Sequence, residues 1–184
     1  MDEASKKRYT YADYLTWDDD KRYELIDGVA YLMSPAPSPE HQDILRELSL
    51  IIGVFLKGKS CKLYFAPLDV RLNANRRNDT VVQPDLIVVC DKTKIDGHGY
   101  AGAPDLVIEV LSPSTKRHDR ITKLDLYQKA GVREYWVVDP ETTSVQVFIL
   151  KDGQYFISGY GEDDTVPVHV LPGCEIKLRD VFAE

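Results

Sequence analysis

Two stretches of this chain carry acids where a buried strand would be apolar: VVQPDLIVVC at 81–90 and APDLVIEVLS at 103–112. Glu109 sits inside the run Leu106, Val107, Ile108, Glu109, Val110, Leu111. A central strand reads as a continuous apolar run, and a carboxylate within it must be paired or must bind a cation. Asp85 stands at the entrance of the other run. An antiparallel register that sets Asp85 opposite Glu109 also sets Cys90 opposite Pro104. The connection left over is DKTKIDGHGYAGA, residues 91–103, with three glycines, which reads as a loop. Side chains directly opposite one another lie ~5 Å apart at Cβ. Two carboxylates at that separation can hold one divalent ion, with oxygens at ~2.0–2.1 Å for magnesium. Asp105 competes for the same role, but residues four apart on one strand are ~13 Å apart and cannot share an ion. The alternatives are a turn or cap role for Asp85 after Pro84 and a buried Arg or Lys partner for Glu109.

The segment after Glu109 adds Asp119, Lys123 and Tyr127, four apart and so on one helical face. A lysine beside a metal can hold or deprotonate a water, or neutralise charge developing on a phosphate. The plainer alternative is an exposed Asp119–Lys123 pair contributing ~0.3–0.5 kcal/mol. Glu24, on a strand, and His41, in a helix's first turn, are two further candidates. The alternatives are an exposed strand acid and a surface histidine, its ring kept neutral by the helix dipole. His98, His118 and His169 show no ligand spacing.

The elements that position these residues can be read in order. Thr10 caps a short helix to Trp17, with Asp13 completing a capping box. Asp27-Gly28 between apolar runs marks a hairpin. Ser38 and Pro39 open a helix whose Ile44, Leu45, Leu48, Ile51, Ile52, Phe55 and Leu56 recur at three and four, and Gly58 ends it. Strand-like runs follow at 62–72, 85–90 and 105–111. A helix spans Pro113 to Ala130, with Gly131 as terminator. GVREYWVVDP, a hairpin turning at Lys151-Asp152-Gly153, and a last strand near 174–178 close the chain. Helix, hairpin, helix, strands, helix, strands predicts a mixed α/β (α+β) fold around a central sheet, as one domain over 1–184.

Composition bounds the function. Apolar residues make up 43% of the 184 positions and charged residues 29%, which excludes a disordered or collagen-like chain. No apolar run is long enough for a membrane span and no signal peptide is visible at the N-terminus. Cys61, Cys90 and Cys174 are odd in number and far apart, so reduced thiols and a cytoplasmic location are expected. The net charge of −7 argues against indiscriminate coating of nucleic acid. Yet residues 51–133 carry 14 Lys and Arg against 9 Asp and Glu, between acidic ends, and could present a phosphate-binding surface.

Together the residues resemble a known family. Pro84-Asp85, LVIEVLSPST at 106–115, Lys123, Tyr127 and AGVREYWVVDP at 130–140 are similar to the Uma-type restriction endonucleases, of the PD-(D/E)-x-K nuclease superfamily. RYELIDGVAYLMSPAPSPEHQ, from Arg22, matches the family's N-terminal pattern, so the likeness runs from about Thr10 to Phe182. It implies a restriction-endonuclease-like fold and a magnesium-dependent endonuclease acting on DNA, with manganese as a substitute and no organic cofactor. Asp85 and Glu109 would bind the metal through side chains, and Val110 through its carbonyl. The superfamily's lysine falls two residues after the glutamate, where this chain has Leu111. Lys123 is the matching position on the following helix, and Lys116 competes. Glu24 and His41 match recurrent positions in a supporting role. Lys57, Lys59, Lys62, Arg71, Arg76 and Arg77 would contact phosphates. A homodimer would suit cutting of two strands, though no sequence feature requires it. The displaced lysine leaves a second reading open: an inactive nuclease fold that binds DNA or a protein partner.

Overall fold

The computed structural model describes residues 7–33, 37–112 and 116–183, with the side chains of all but 116–121 among them. In chain order the elements are α1 (Tyr11–Tyr14), β1 (Tyr23–Ile26), β2 (Val29–Leu32), α2 (Pro39–Leu56), β3 (Lys62–Phe65), β4 (Val70–Arg71), β5 (Val81–Val82) and β6 (Leu86–Val89). They continue with β7 (Ile95–Asp96), β8 (Gly99–Tyr100), β9 (Leu106–Val110), α3 (Lys116–Ala130), β10 (Glu134–Asp139), β11 (Ser144–Lys151), β12 (Gln154–Gly161), β13 (Thr165–Pro167), β14 (Glu175–Lys177) and α4 (Leu178–Phe182).

The main sheet runs β12-β11-β10-β9-β6-β3. Among the described residues its one parallel pair is β9 with β10, joined by α3, while the other neighbours are antiparallel. Strand alternation gives this sheet two buried faces. On one, Leu86, Val88, Leu106, Ile108 and Trp136 pack on Ile44, Leu48, Ile52 and Leu56 of α2. On the other, Ile87, Val107, Tyr135 and Val137 meet Tyr127 of α3 and Val70, Val82 and Tyr100 of a second sheet. That second sheet runs β2-β1-β5-β4-β8-β7.

Local chemistry sets the ends of several elements as expected. Thr10 and Asp13 form the capping box of α1. Ser38 accepts from the His41 amide at 3.3 Å and Pro39 opens α2. Asp27 (φ 48°) and Gly28 (φ 78°) both take left-handed backbone, the turn that suits the twist of a two-residue hairpin. Three expectations need correction. The run 62–72 is two strands in different sheets, β3 and β4, with a turn through the cis Ala66-Pro67 bond between them. Residues 91–103 are more than loop: they hold β7 and β8, which complete the second sheet. The cysteines are not all reduced, because β3 and β6 set Cys61 opposite Cys90 and the two form a disulfide, leaving Cys174 free and buried. A bond across 29 residues follows from strand register, which spacing alone does not reveal. Among the described residues no helix is long and apolar enough to cross a membrane. The expected helix start at Pro113 lies outside the described residues.

Candidate active site

The β6–β9 register pairs Leu86 with Ile108 and Ile87 with Val107, so it brings Asp85 and Glu109 opposite one another at the end of the ladder. Asp105 lies at the far end of β9. There its carboxylate accepts from the Cys90 amide at 2.7 Å and from Arg133 at 3.0 Å, a structural tie away from the site.

Six predicted residues meet at this end of the sheet. Lys123 Nζ reaches across from α3 to Glu109 Oε1 at 3.0 Å and to Glu24 Oε1 at 3.2 Å. His41 Nε2, from the first turn of α2, lies 3.3 Å from Asp85 Oδ2. The same Asp85 oxygen accepts from the Val110 amide at 2.8 Å. Glu24, His41, Glu109 and Lys123 are all buried, and the Asp85 side chain is 21% exposed. Glu24 is therefore no exposed strand acid, His41 is no surface histidine, and Lys123 is a buried rather than an exposed lysine. Asp119 and Lys116 have side chains outside the described residues, as does His118.

Sequence reasoning missed two supports. Tyr127 Oη donates to Glu109 Oε1 at 2.7 Å, one helical turn beyond Lys123; its place on that face was legible, its acceptor was not. The Gln83 amide donates to Glu24 Oε1 at 3.2 Å. The Gln83 side chain is held by Asp69 Oδ1 at 2.8 Å, and Asp69 also accepts from Tyr11 and Tyr14. Glu24 is thus oriented by the segment that carries Asp85, two residues on. The neighbouring Pro84-Asp85 was the available signal.

The electrostatics follow from this crowding. Three carboxyl groups crowd around the Lys123 ammonium and the His41 ring, and most of the cluster is buried. Burial pushes the Glu109 carboxyl up to about 7; Lys123 opposes the shift, Asp85 and Glu24 add to it, and the Tyr127 bond opposes it. Burial lowers the His41 pKa, but the Asp85 carboxylate outweighs that, helped by the Val110 backbone and Glu109, and the net shift is upward. The helix-dipole argument for a neutral ring therefore loses to the carboxylate beside it. Burial, then Glu109, hold the Tyr127 hydroxyl well above its ordinary pKa, so it stays a donor.

These contacts fall on one oxygen of each acid: Oε1 of Glu24, Oδ2 of Asp85 and Oε1 of Glu109. The second oxygens of Asp85 and Glu109, with the Val110 carbonyl, are the hard donors that magnesium or manganese prefers. Among the described residues, no three His, Cys, Asp or Glu side chains form a metal cage by themselves. Magnesium usually keeps several waters and takes only one or two carboxylates. His41 Nδ1 is buried without a hydrogen-bond partner.

Tyr127→Phe should weaken this cluster measurably. A hydrogen bond to a charged group contributes ~1.5–3 kcal/mol, so urea denaturation above pH 7 should lose about that amount. The Glu109 carboxyl should titrate higher still, read by NMR of the labelled side chain.

The site opens into a cleft of about 750 Å³. Arg22 and Arg46 line it, together with Lys123. None of the six cations expected to contact phosphates lines it among the described residues. Arg71, for example, pairs with Asp96 beside the Tyr11 ring. A basic segment of sequence folds onto several surfaces, so its net charge does not locate one patch.

Comparison with known proteins agrees with this architecture. A crystal structure described as "a putative nuclease belonging to DUF820", from Anabaena variabilis, superposes with a TM-score of 0.78 at 22% identity, covering 95% of this chain and 98% of that one. That likeness establishes a shared fold. The uncharacterized protein slr1290 of Synechocystis sp. is 31% identical over 156 residues, which cover 83% of this chain and 80% of that protein. The profile of the Uma2 family, described as "Putative restriction endonuclease", matches residues 11–179, and this chain belongs to that family.

Proposed function

We propose that the protein is a divalent-metal-dependent endonuclease that hydrolyses DNA phosphodiester bonds at the Asp85–Glu109 site. The observation that carries this is the convergence of two buried carboxylates, Glu24 and Glu109, on Lys123, with Asp85 opposite Glu109 at the end of the strand ladder and a proton-hungry Glu109 at the centre. Asp85, Glu109 and the Val110 carbonyl would hold the ion. Bound there, magnesium or manganese would polarise the scissile phosphate and lower the pKa of a water.

The chain's own groups have distinct tasks. Lys123 supplies the ammonium that orients a water or stabilises charge on the phosphate, in place of the lysine absent at Leu111. Glu24 fixes Lys123 from the side opposite Glu109. Tyr127 holds Glu109 Oε1 and so directs the other oxygen. His41 and the Val110 amide do the same for Asp85. The test is incubation of linear and plasmid DNA with magnesium or manganese. Cleavage is expected with either ion and none in chelator; cleavage that survives Glu109→Ala would assign the activity to another site.

The reading also predicts proton release. A divalent cation competes with the proton that Glu109 retains below about pH 7. Manganese affinity should rise as pH climbs from 5 towards 7 and level off above it. Calorimetry in buffers of different ionisation enthalpy should count about one proton released per ion near pH 6. Pairing with Lys123 favours a second reading, a binding module with a satisfied acid cluster. That module would take up neither ion and release no proton.

A further inference from the structure

The cleft above the acids is recessed and partly apolar, which suits an unpaired strand better than a duplex. The acids and Lys123 are recessed at its floor, whereas a duplex carries its phosphates on the outside of a wide rod. The walls are apolar as well as charged. Leu32 (63% exposed), Leu50 (54%) and Phe65 (63%) are large side chains left open to solvent, and all three line this one cleft. Duplex backbone offers such a wall nothing to bury. Unstacked bases do.

Phe65 is placed for that contact. It ends β3 opposite Leu86, and the next residue, Ala66, donates its amide to the Asp85 carbonyl at 3.1 Å. The exposed phenyl ring and the Asp85 carboxylate therefore line one cleft, the ring at the end of the strand next to the acid's segment. On the same cleft, the Arg22 guanidinium is held by the Gln83 side-chain oxygen through Nε at 3.1 Å and Nη2 at 2.5 Å. That acceptor is neutral, so it positions the guanidinium without cancelling its charge. Arg46, by contrast, is paired with Asp43 and Glu47, both at 2.9 Å.

We propose that the cleft takes a single unpaired polynucleotide strand, with a base stacked on Phe65 and an adjacent phosphate on Arg22. This rests on the reading of the floor as a phosphodiester site, and it narrows the substrate to single strands, frayed ends or flaps. The chemistry is the usual one for unpaired strands: aromatic platforms beside a cationic groove.

The test is fluorescence anisotropy of a labelled single-stranded oligonucleotide against a closed hairpin duplex of the same sequence, at low salt with calcium. The single strand should bind at least tenfold tighter. Phe65→Ala should weaken it by about tenfold while leaving the duplex unchanged, and Phe65→Trp should restore it. Phe65 is a surface side chain, so its truncation should scarcely alter folding. Equal or tighter binding of the duplex, no binding of either, or indifference to Phe65→Ala would overturn the proposal. Cleavage with manganese is scored separately. Strand preference without cleavage would keep this inference and remove the hydrolase reading; cleavage without strand preference would do the reverse.

Discussion

Glu109→Gln should lose about 10³-fold or more in DNA cleavage, equivalent to about 4 kcal/mol of barrier, while unfolding no more easily than wild type. The two halves of that result have one cause. Burial and the neighbouring carboxylates Asp85 and Glu24 make the ionised form of Glu109 costly, against the opposition of Lys123 and Tyr127. The glutamine keeps the shape and needs no charge desolvated, so the metal-free fold gives up little. What it gives up is a metal oxygen with full charge. The pH dependence separates this from a general defect. The Glu109 carboxyl has a higher pKa folded than unfolded, so the folded wild type holds more protons than the unfolded chain. Its metal-free stability should fall as pH rises from about 4.5 through about 7. Glu109→Gln should lack that slope, read by urea denaturation at pH 5 and pH 8. A variant that melts far below wild type at both would make Glu109 a structural residue.

Lys123→Met should behave in the opposite way. It removes the buried ammonium that Glu24 and Glu109 share, at 3.2 and 3.0 Å. Removing one partner from a buried charge cluster costs ~3–5 kcal/mol, because the remaining charges are left uncompensated. The cost should be largest at pH 8, where the acids are ionised, and smaller at pH 5, where Glu109 takes up a proton. Cleavage should fall by ~10²–10³-fold as well. The double variant Lys123→Met with Glu109→Gln should recover most of the lost stability and none of the activity, a strongly non-additive pair. An equal loss at both pH values, with no recovery in the double variant, would mean that Lys123 packs rather than compensates charge.

The core of this site was legible in the sequence for a physical reason. A carboxylate inside LVIEVL contradicts its own strand, and the Gly-rich connection between the two acid-bearing runs restricts the register. Leu86 pairs with Ile108 as that register requires. Helical spacing set Lys123 and Tyr127 on one face, and the family likeness gave Lys123 its expected role. What was hidden depends on contacts between distant segments. Gln83 supports Glu24 across 59 residues through a single amide. Strands β4, β5, β7 and β8 have two residues each, too few to leave an alternating pattern, so the second sheet was nearly invisible. The Cys61–Cys90 bond and the cleft's Arg22 depend on the same tertiary arrangement.

One titration addresses the central claim, that Asp85 and Glu109 together grip a single ion. Manganese should bind the wild-type chain at one site, followed by calorimetry or by the loss of the free-ion electron paramagnetic resonance signal. Asp85→Asn and Glu109→Gln should each abolish that site, with folding intact by circular dichroism. A wild-type chain that takes up no manganese, or variants that take it up as wild type does, would contradict the account.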